Sequence, residues 1–176
     1  MGRVLITEPL LNDDIFARSV VYLVDDLNDS PLGFILNKNA GTKVSKLIDG
    51  FEDVNLDVFI GGPVDSQVVN FIHSIKNIKK SEPIGNGLFL NGDLDSLRDL
   101  ARKGKVNNRN TKIFLGHSSW ETGQLEEELF NNCWLVADSD AGIVFKKEDD
   151  LWVNSLNLVD SRYQIWKNFP LSPELN

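Results

Sequence analysis

The chain is 176 residues long, 41% hydrophobic and 25% charged, with enough apolar material for one folded core. Its 26 acidic and 18 basic side chains leave a net charge of −8, which repels phosphate backbones and disfavours non-specific nucleic-acid binding. The single cysteine, Cys133, excludes an internal disulfide framework and a cysteine-built zinc site, and no apolar run reaches the ~18 residues that span a bilayer.

Val4–Thr7 predicts a first strand, ended by Glu8-Pro9, and Leu10 to Asp14 reads as a turn or short helical piece. Ser19 to Val24 is β-branched and mostly apolar, which predicts a strand covered on both faces. Asp25 to Pro31 is polar and rich in breakers, so with Leu32 to Leu36 the segment 19–36 predicts a hairpin with a long tip. Thr42 is placed to cap a short helix carrying Val44, Leu47 and Ile48. Leu56 to Ile60 predicts a buried strand running into Gly61-Gly62-Pro63, followed by strands over Val68 to His73 and Gly87 to Leu90.

Asp93 opens a helix with Leu94, Leu97, Leu100 and Ala101 at helical spacing, stopped near Gly104. Ile113 to Leu115 predicts a strand, the polar Gly116 to Ser119 a turn, and Gln124 to Phe130 a helix with Leu125 and Leu129 inward. Trp134 to Ala137 and Ile143 to Phe145 read as late strands, and Glu148 to Leu158 as a helix carrying Leu151, Trp152 and Leu156. This irregular alternation predicts a mixed α/β or α+β sheet protein. One domain is expected over residues 1–167, with a polar tail over 168–176 that frays. The N-terminus lacks the basic and apolar regions of a secretion signal, so a cytoplasmic, reduced protein is expected.

Gly116-His117-Ser118-Ser119-Trp120 sits where a hydrolase nucleophile would, between a strand and a helix. That motif needs glycine two residues after the serine, and here Trp120 occupies the position. The base histidine of that fold lies downstream of the serine, and no histidine follows His117. A polar turn accounts for the segment better. His73 and His117 both close apolar segments, where a histidine hydrogen-bonded at the core edge is the commoner case. The alternatives are acid–base work near neutrality or metal binding with carboxylates such as Asp65 or Glu121. No segment has the ligand spacing of a known metal site, and no cofactor is expected.

Gly61-Gly62-Pro63 follows a strand, where glycines either serve a close backbone approach or turn N–H groups toward an anion. Trp120 and Trp134 flank the helix carrying Gln124 and Glu128, as core anchors or as the mouth of a pocket. Arg18 precedes a buried strand and should have a carboxylate or backbone partner. Arg98, Arg102, Lys103, Lys105, Arg109 and Lys112 form a basic island.

Several segments together resemble the YqgE/AlgH family of bacterial proteins. Gly2 to Ile6 through Glu8-Pro9-Leu10, then Phe16 to Leu23, is similar to the family's opening. Leu32 to Lys38 resembles its G-L-V-L-N-R segment, and Gly61-Gly62-Pro63-Val64 with His73 resembles its G-G-P-V followed by L-H. Phe114 to Trp120, Gly123 to Glu126 and Trp134 resemble its F-L-G-Y-A-G-W-G-P-G-Q-L-E…W block. The chain departs from the pattern at Ser118-Ser119, where the family has alanine-glycine. It departs again at Asp25-Asp26, in a region where the family often carries a histidine.

The resemblance implies an α+β fold with a mixed, bifurcated β-sheet curled into a pseudo-barrel and flanked by helices. It implies no established activity; one branch is described as a transcriptional regulator linked to alginate production. It also implies a candidate surface joining Arg18, Asn37, Gly61, Gly62, Pro63, His73, His117, Trp120 and Gln124. The leading expectation is a cytoplasmic regulatory protein, or one binding a small ligand or partner protein, without established catalysis. The second is a hydrolase or nucleotide-handling enzyme using His73, His117 and nearby carboxylates. The third, a transcriptional regulator, requires the basic island to form a continuous face.

Overall fold

Five consecutive apolar residues, Val20–Val24, form strand β2, and every one is buried in the computed structural model, which describes residues 2–11, 13–24, 30–147 and 149–170. Side chains alternate across a strand, so double-sided burial requires a core on each face. Val20, Tyr22 and Val24 join Val4, Ile6, Phe34 and Phe114 in one core. Val21 and Leu23 join Leu5, Ile35, Trp120, Leu125 and Trp134 in another. A third core gathers Val44, Phe51, Val58, Phe71, Leu97 and Ile113. Each such large apolar side chain contributes roughly 1.5–3 kcal/mol by leaving water.

The chain is α+β. Strand β1 (Gly2–Thr7) lies antiparallel to β2, and β2 to β3 (Leu32–Ile35), completing the expected hairpin. Residues 25–29 between them, including Asp25-Asp26, fall outside the described residues. Strands β4 (Asn39–Lys43), β5 (Asp57–Ile60), β6 (Val64–His73), β7 (Glu82–Pro83) and β8 (Phe89–Leu90) follow. Helix α1 (Leu94–Arg102), strand β9 (Thr111–Ser119), helix α2 (Gln124–Phe130), strand β10 (Trp134–Ser139) and helix α3 (Leu151–Ser155) complete the regular elements. The main path of the sheet is β10-β1-β2-β3-β9-β6-β8-β7.

The sheet forks on β9. Along one edge of β9, β5 pairs in parallel with residues 113–115, while β3 pairs antiparallel with 118–119. The other edge is held by β6. Two strands therefore share one edge and diverge from it, and the sheet curls around the first core. Gly61 sits in the crotch of the fork: its N–H donates to Leu115 O at 2.7 Å, and its carbonyl accepts from Ile35 N at 2.9 Å.

Helix α1 starts where Asp93 predicts, the carboxylate accepting from Ser96 N at 2.9 Å, and it buries Leu97 and Ala101. Four expectations change. Thr42 lies in β4, and the helical turn after it is a short 3₁₀ piece over Val44–Lys46. Gly116 to Ser119 is strand, because Val64 pairs with His117 and β3 pairs with the two serines, supplying partners that local sequence does not display. Ile143 to Phe145 belongs to a 3₁₀ helix over Ala141–Phe145 that buries the adjacent Ile143 and Val144; alternating burial would be needed for a one-sided strand. The expected helix over Glu148 to Leu158 is shorter, α3 followed by a 3₁₀ turn at Leu156–Leu158. Among the described residues no helix is long and apolar enough to cross a membrane.

Candidate functional site

The turn after β9 carries Trp120, whose backbone N–H donates to Pro31 O at 3.1 Å, and α2 begins four residues later. On α2, Gln124 and Glu128 stand one turn apart and so share a face. Gln124 Nε2 donates to Glu128 Oε1 at 2.9 Å, while Gln124 Oε1 accepts from Glu121 N at 3.0 Å. Glu128 Oε2 accepts from both indoles, Trp120 Nε1 at 2.9 Å and Trp134 Nε1 at 2.7 Å. One carboxylate thus fixes the two tryptophans that flank its helix. Their rings meet edge-on at 6.1 Å, and Phe16 meets Trp134 edge-on at 5.5 Å, the arrangement the aromatic quadrupole favours.

These groups wall a cleft of about 350 Å³. Pro63, Ser118, Ser119, Trp120, Gln124 and Glu128 line it from the fork side, and Leu11, Asp13, Phe16, Cys133 and Trp134 from the other. The volume lies at the small end of the ~300–1,000 Å³ range of ligand pockets. Ser118 is buried and donates to Gly61 O at 3.2 Å, so its hydroxyl is spent on the fork.

Of the nine expected site residues, the structure brings Pro63, Trp120 and Gln124 into this cleft. Gly61 and Gly62 stand behind it and serve close backbone approach. A Cβ on Gly61 would lie 2.4 Å from Gly116 O, and one on Gly62 would lie 2.3 Å from His117 O. His117 is half-buried on β9 and does not line the cleft. Arg18 and Asn37 are linked to each other elsewhere, Asn37 Nδ2 donating to Arg18 O at 2.8 Å and its Oδ1 accepting from Val20 N at 2.9 Å. The Arg18 guanidinium donates to Phe169 O and Pro170 O and lies 4.8 Å from the Trp152 ring centroid, tying down residues 169 and 170. From residue 171 onward the polar tail lies outside the described residues.

His73 is not part of the cleft. The register places it opposite Thr111 and His117 opposite Val64. That is six positions along β9 (117 − 111), or about 20 Å at ~3.3 Å per residue. His73 is fully buried between Phe71 and Phe89, its Nε2 within hydrogen-bond reach of Ser81 Oγ at 3.1 Å and Asn91 O at 3.0 Å. The acid–base pair of the enzymatic expectation is therefore not assembled.

Burial holds the His73 imidazole below its ordinary value of 6.5, against the raising effect of its backbone hydrogen bonds with Asn91 and Ile75. Above pH 6.5 the ring is neutral in both folded and unfolded chains. Below it, the unfolded chain takes up a proton that the folded chain resists, so stability declines until pH passes the folded value. Urea midpoints measured from pH 7.5 to 5 should fall, and His73→Gln should flatten that fall; an unchanged slope in the variant would assign the decline to other groups.

Three members of the basic island have partners within the protein. Arg98 pairs with Asp95 and donates to Asp49 O, Arg102 lies 3.8 Å from Asp99, and Lys112 is buried with its ammonium 4.0 Å from the Phe59 ring centroid. Among the described residues no group of three or more His, Cys, Asp or Glu side chains is arranged to hold a metal ion. Sequence reasoning left Glu128, Asp13 and Phe16 out of the site. The i, i+4 spacing of Gln124 and Glu128 was the available signal for the first; Asp13 and Phe16 reach the cleft only through tertiary packing.

A family model described as AlgH-like matches residues 4–164. A UPF0301 protein of Bacteroides thetaiotaomicron is 36% identical over 99% of this chain and 90% of its own length. Another, from Cytophaga hutchinsonii, is 33% identical over 99% of this chain and 98% of its own. The solution structure of the AlgH protein from Pseudomonas aeruginosa superposes with a TM-score of 0.70 at 26% identity, covering 96% of this chain and 94% of that one. A crystal structure from Corynebacterium diphtheriae shares the fold, with a TM-score of 0.77 at 22% identity over 96% of this chain and 91% of that one. The family model spans most of the chain and the relatives align over nearly all of it; the chain belongs to the AlgH-like family.

Proposed function

We propose that this AlgH-like chain is a cytoplasmic binding protein with a regulatory role, and that the cleft between α2, the end of β9 and the segment 11–16 is where a small ligand docks. The observation that carries this reading is the Glu128 clamp. A half-buried carboxylate holds two indoles in fixed orientation at the wall of an open cleft. Pre-set aromatic surface of this kind binds with little loss of side-chain freedom. The separation of His73 from His117 and the locked environment of His73 favour binding over acid–base catalysis. The free thiol of Cys133 fits a reducing compartment.

A fragment screen read by thermal shift, with the indole N–H resonances of Trp120 and Trp134 followed for each hit, tests the reading. Hits should move both resonances, and their stabilisation should vanish in Trp120→Ala. Hits that leave both resonances in place, or that stabilise Trp120→Ala equally, would remove the cleft from consideration.

A further inference from the structure

We infer that the cleft selects an organic cation: an ammonium or guanidinium group attached to an apolar or aromatic body. The inference rests on the reading of the cleft as a ligand site and adds the chemistry of the occupant.

The argument starts from which hydrogen-bonding capacity remains unspent. Both indole N–H groups and one of the two Gln124 amide N–H groups donate to Glu128, and the Ser118 hydroxyl donates to Gly61 O. The described wall therefore presents an occupant with aromatic rings and acceptor oxygens, and its indole and Ser118 donors are already committed. The only charged described residues lining it are Asp13 and Glu128, both carboxylates. Asp13 spends one oxygen, Oδ1, on the N–H groups of Ile15 and Phe16 at 2.8 and 2.6 Å, which fixes the carboxylate at the cleft's edge. Glu128 Oε1 accepts a single bond, from Gln124, and keeps a further lone pair. The nearby cation Lys38 feels Asp13 but donates its ammonium to Ala17 O at 2.7 Å and does not line the cleft.

An anionic occupant would meet two like charges. A neutral apolar one would cover Phe16, Trp120 and Trp134 while displacing water from carboxylates it cannot satisfy. A cation satisfies the carboxylates and gains attraction to the aromatic rings. The net charge of −8 raises the local concentration of such ligands in the same direction.

The group could belong to a free amine or to a basic side chain of a peptide, and the test separates the two. The full chain is titrated with 2-phenylethylammonium, 2-phenylethanol, 3-phenylpropionate and a blocked phenylalanyl-lysine peptide, following the Trp120 and Trp134 indole resonances. The ammonium is expected to bind about tenfold tighter than the alcohol, with the carboxylate weakest and the preference shrinking in high salt. Asp13→Asn, which keeps the Oδ1 acceptor, and Glu128→Gln should each bring the ammonium toward the alcohol. Tighter binding of the peptide than of the free amine, with the same sensitivity to Asp13→Asn, supports the inference and assigns the cation to a partner side chain; the reverse order assigns it to a small molecule. If alcohol and ammonium bind equally well, the charge preference is overturned and the cleft reading stands. If no probe moves either indole resonance, both fall.

Discussion

Gly61→Ala is expected to cost more than about 3 kcal/mol, a large part of the ~5–15 kcal/mol that holds a domain of this size together. The added methyl would sit 2.4 Å from Gly116 O, 3.1 Å from Gly116 C and 3.0 Å from Phe34 Cδ1. Two of these are backbone atoms and cannot swing away as a side-chain tip could. Gly61 cannot retreat either, because Leu115 O holds its N–H while Ile35 N and the Ser118 hydroxyl hold its carbonyl. Relief requires β5 to separate from β9 at the fork, opening the sheet where it divides. Gly41→Ala is the comparison: its φ of +69° strains an alanine, but nothing lies within 4 Å of the new methyl. That variant should lose only about 1–2 kcal/mol. Urea unfolding followed by far-UV circular dichroism measures both, and a Gly61→Ala midpoint close to that of Gly41→Ala would show that the fork yields more easily than its contacts imply.

The same fork explains what the sequence revealed of the fold and what it withheld. Runs such as Val20–Val24 announced burial on both faces because every residue is apolar, and Asp93 with its periodic leucines announced α1 because cap and spacing are local signals. Gly116 to Ser119 concealed its strand character. Glycine at a φ of +67° followed by polar residues has the composition of a turn; Gly116 sits at the register shift between Leu115 and His117, and the segment is held in the sheet because β3 and β6 pair with it across large sequence separations. Ile143 to Phe145 failed in the opposite sense: β-branched composition suggested a strand, and packing of the adjacent Ile143 and Val144 onto the first core made a 3₁₀ turn. Family resemblance supplied the forked, curled sheet, which no local pattern encodes.

Legibility of the cleft divides the same way. Trp120, Gln124 and Pro63 stood out as residues at turns and on a helix face, and they converge. His73 and Arg18 stood out for their chemistry, yet each is committed to structure. The histidine is a buried hydrogen-bonded link between β6, Ser81 and Asn91; the arginine ties residues 169 and 170 to the hairpin. A titratable side chain beside an apolar strand reads identically in sequence whether its partners are a ligand or carbonyls brought in by the fold. Asp13 and Phe16 lie more than 100 positions from α2 and meet it only after the first hairpin packs over β10 and α2.

Glu128→Ala is expected to destabilise the chain by about 2–4 kcal/mol, since it strands two indole N–H groups and each hydrogen bond to a charged acceptor is worth roughly 1.5–3 kcal/mol. Trp120 and Trp134 are 4% and 5% exposed and line the cleft, from which water can take the place of the lost acceptor. That access keeps the cost below the sum of two fully buried losses. The loss of orientation should exceed the loss of stability. Without the shared Oε2, the edge-on contact at 6.1 Å loses its pin, and the ring edges are free to turn into the cleft. Tryptophan emission should shift to the red, and the indole N–H resonances of both residues should broaden or collapse toward their solvent positions. Trp120→Phe keeps a ring and removes one donor, so a double-mutant cycle with Glu128→Ala isolates the coupling. A coupling near 1 kcal/mol or more assigns the carboxylate its clamping role. A value near zero would mean that packing alone holds Trp120, and the cleft would then owe its shape to the packing of Leu125 and Leu5 against the two tryptophans instead of to its one shared carboxylate.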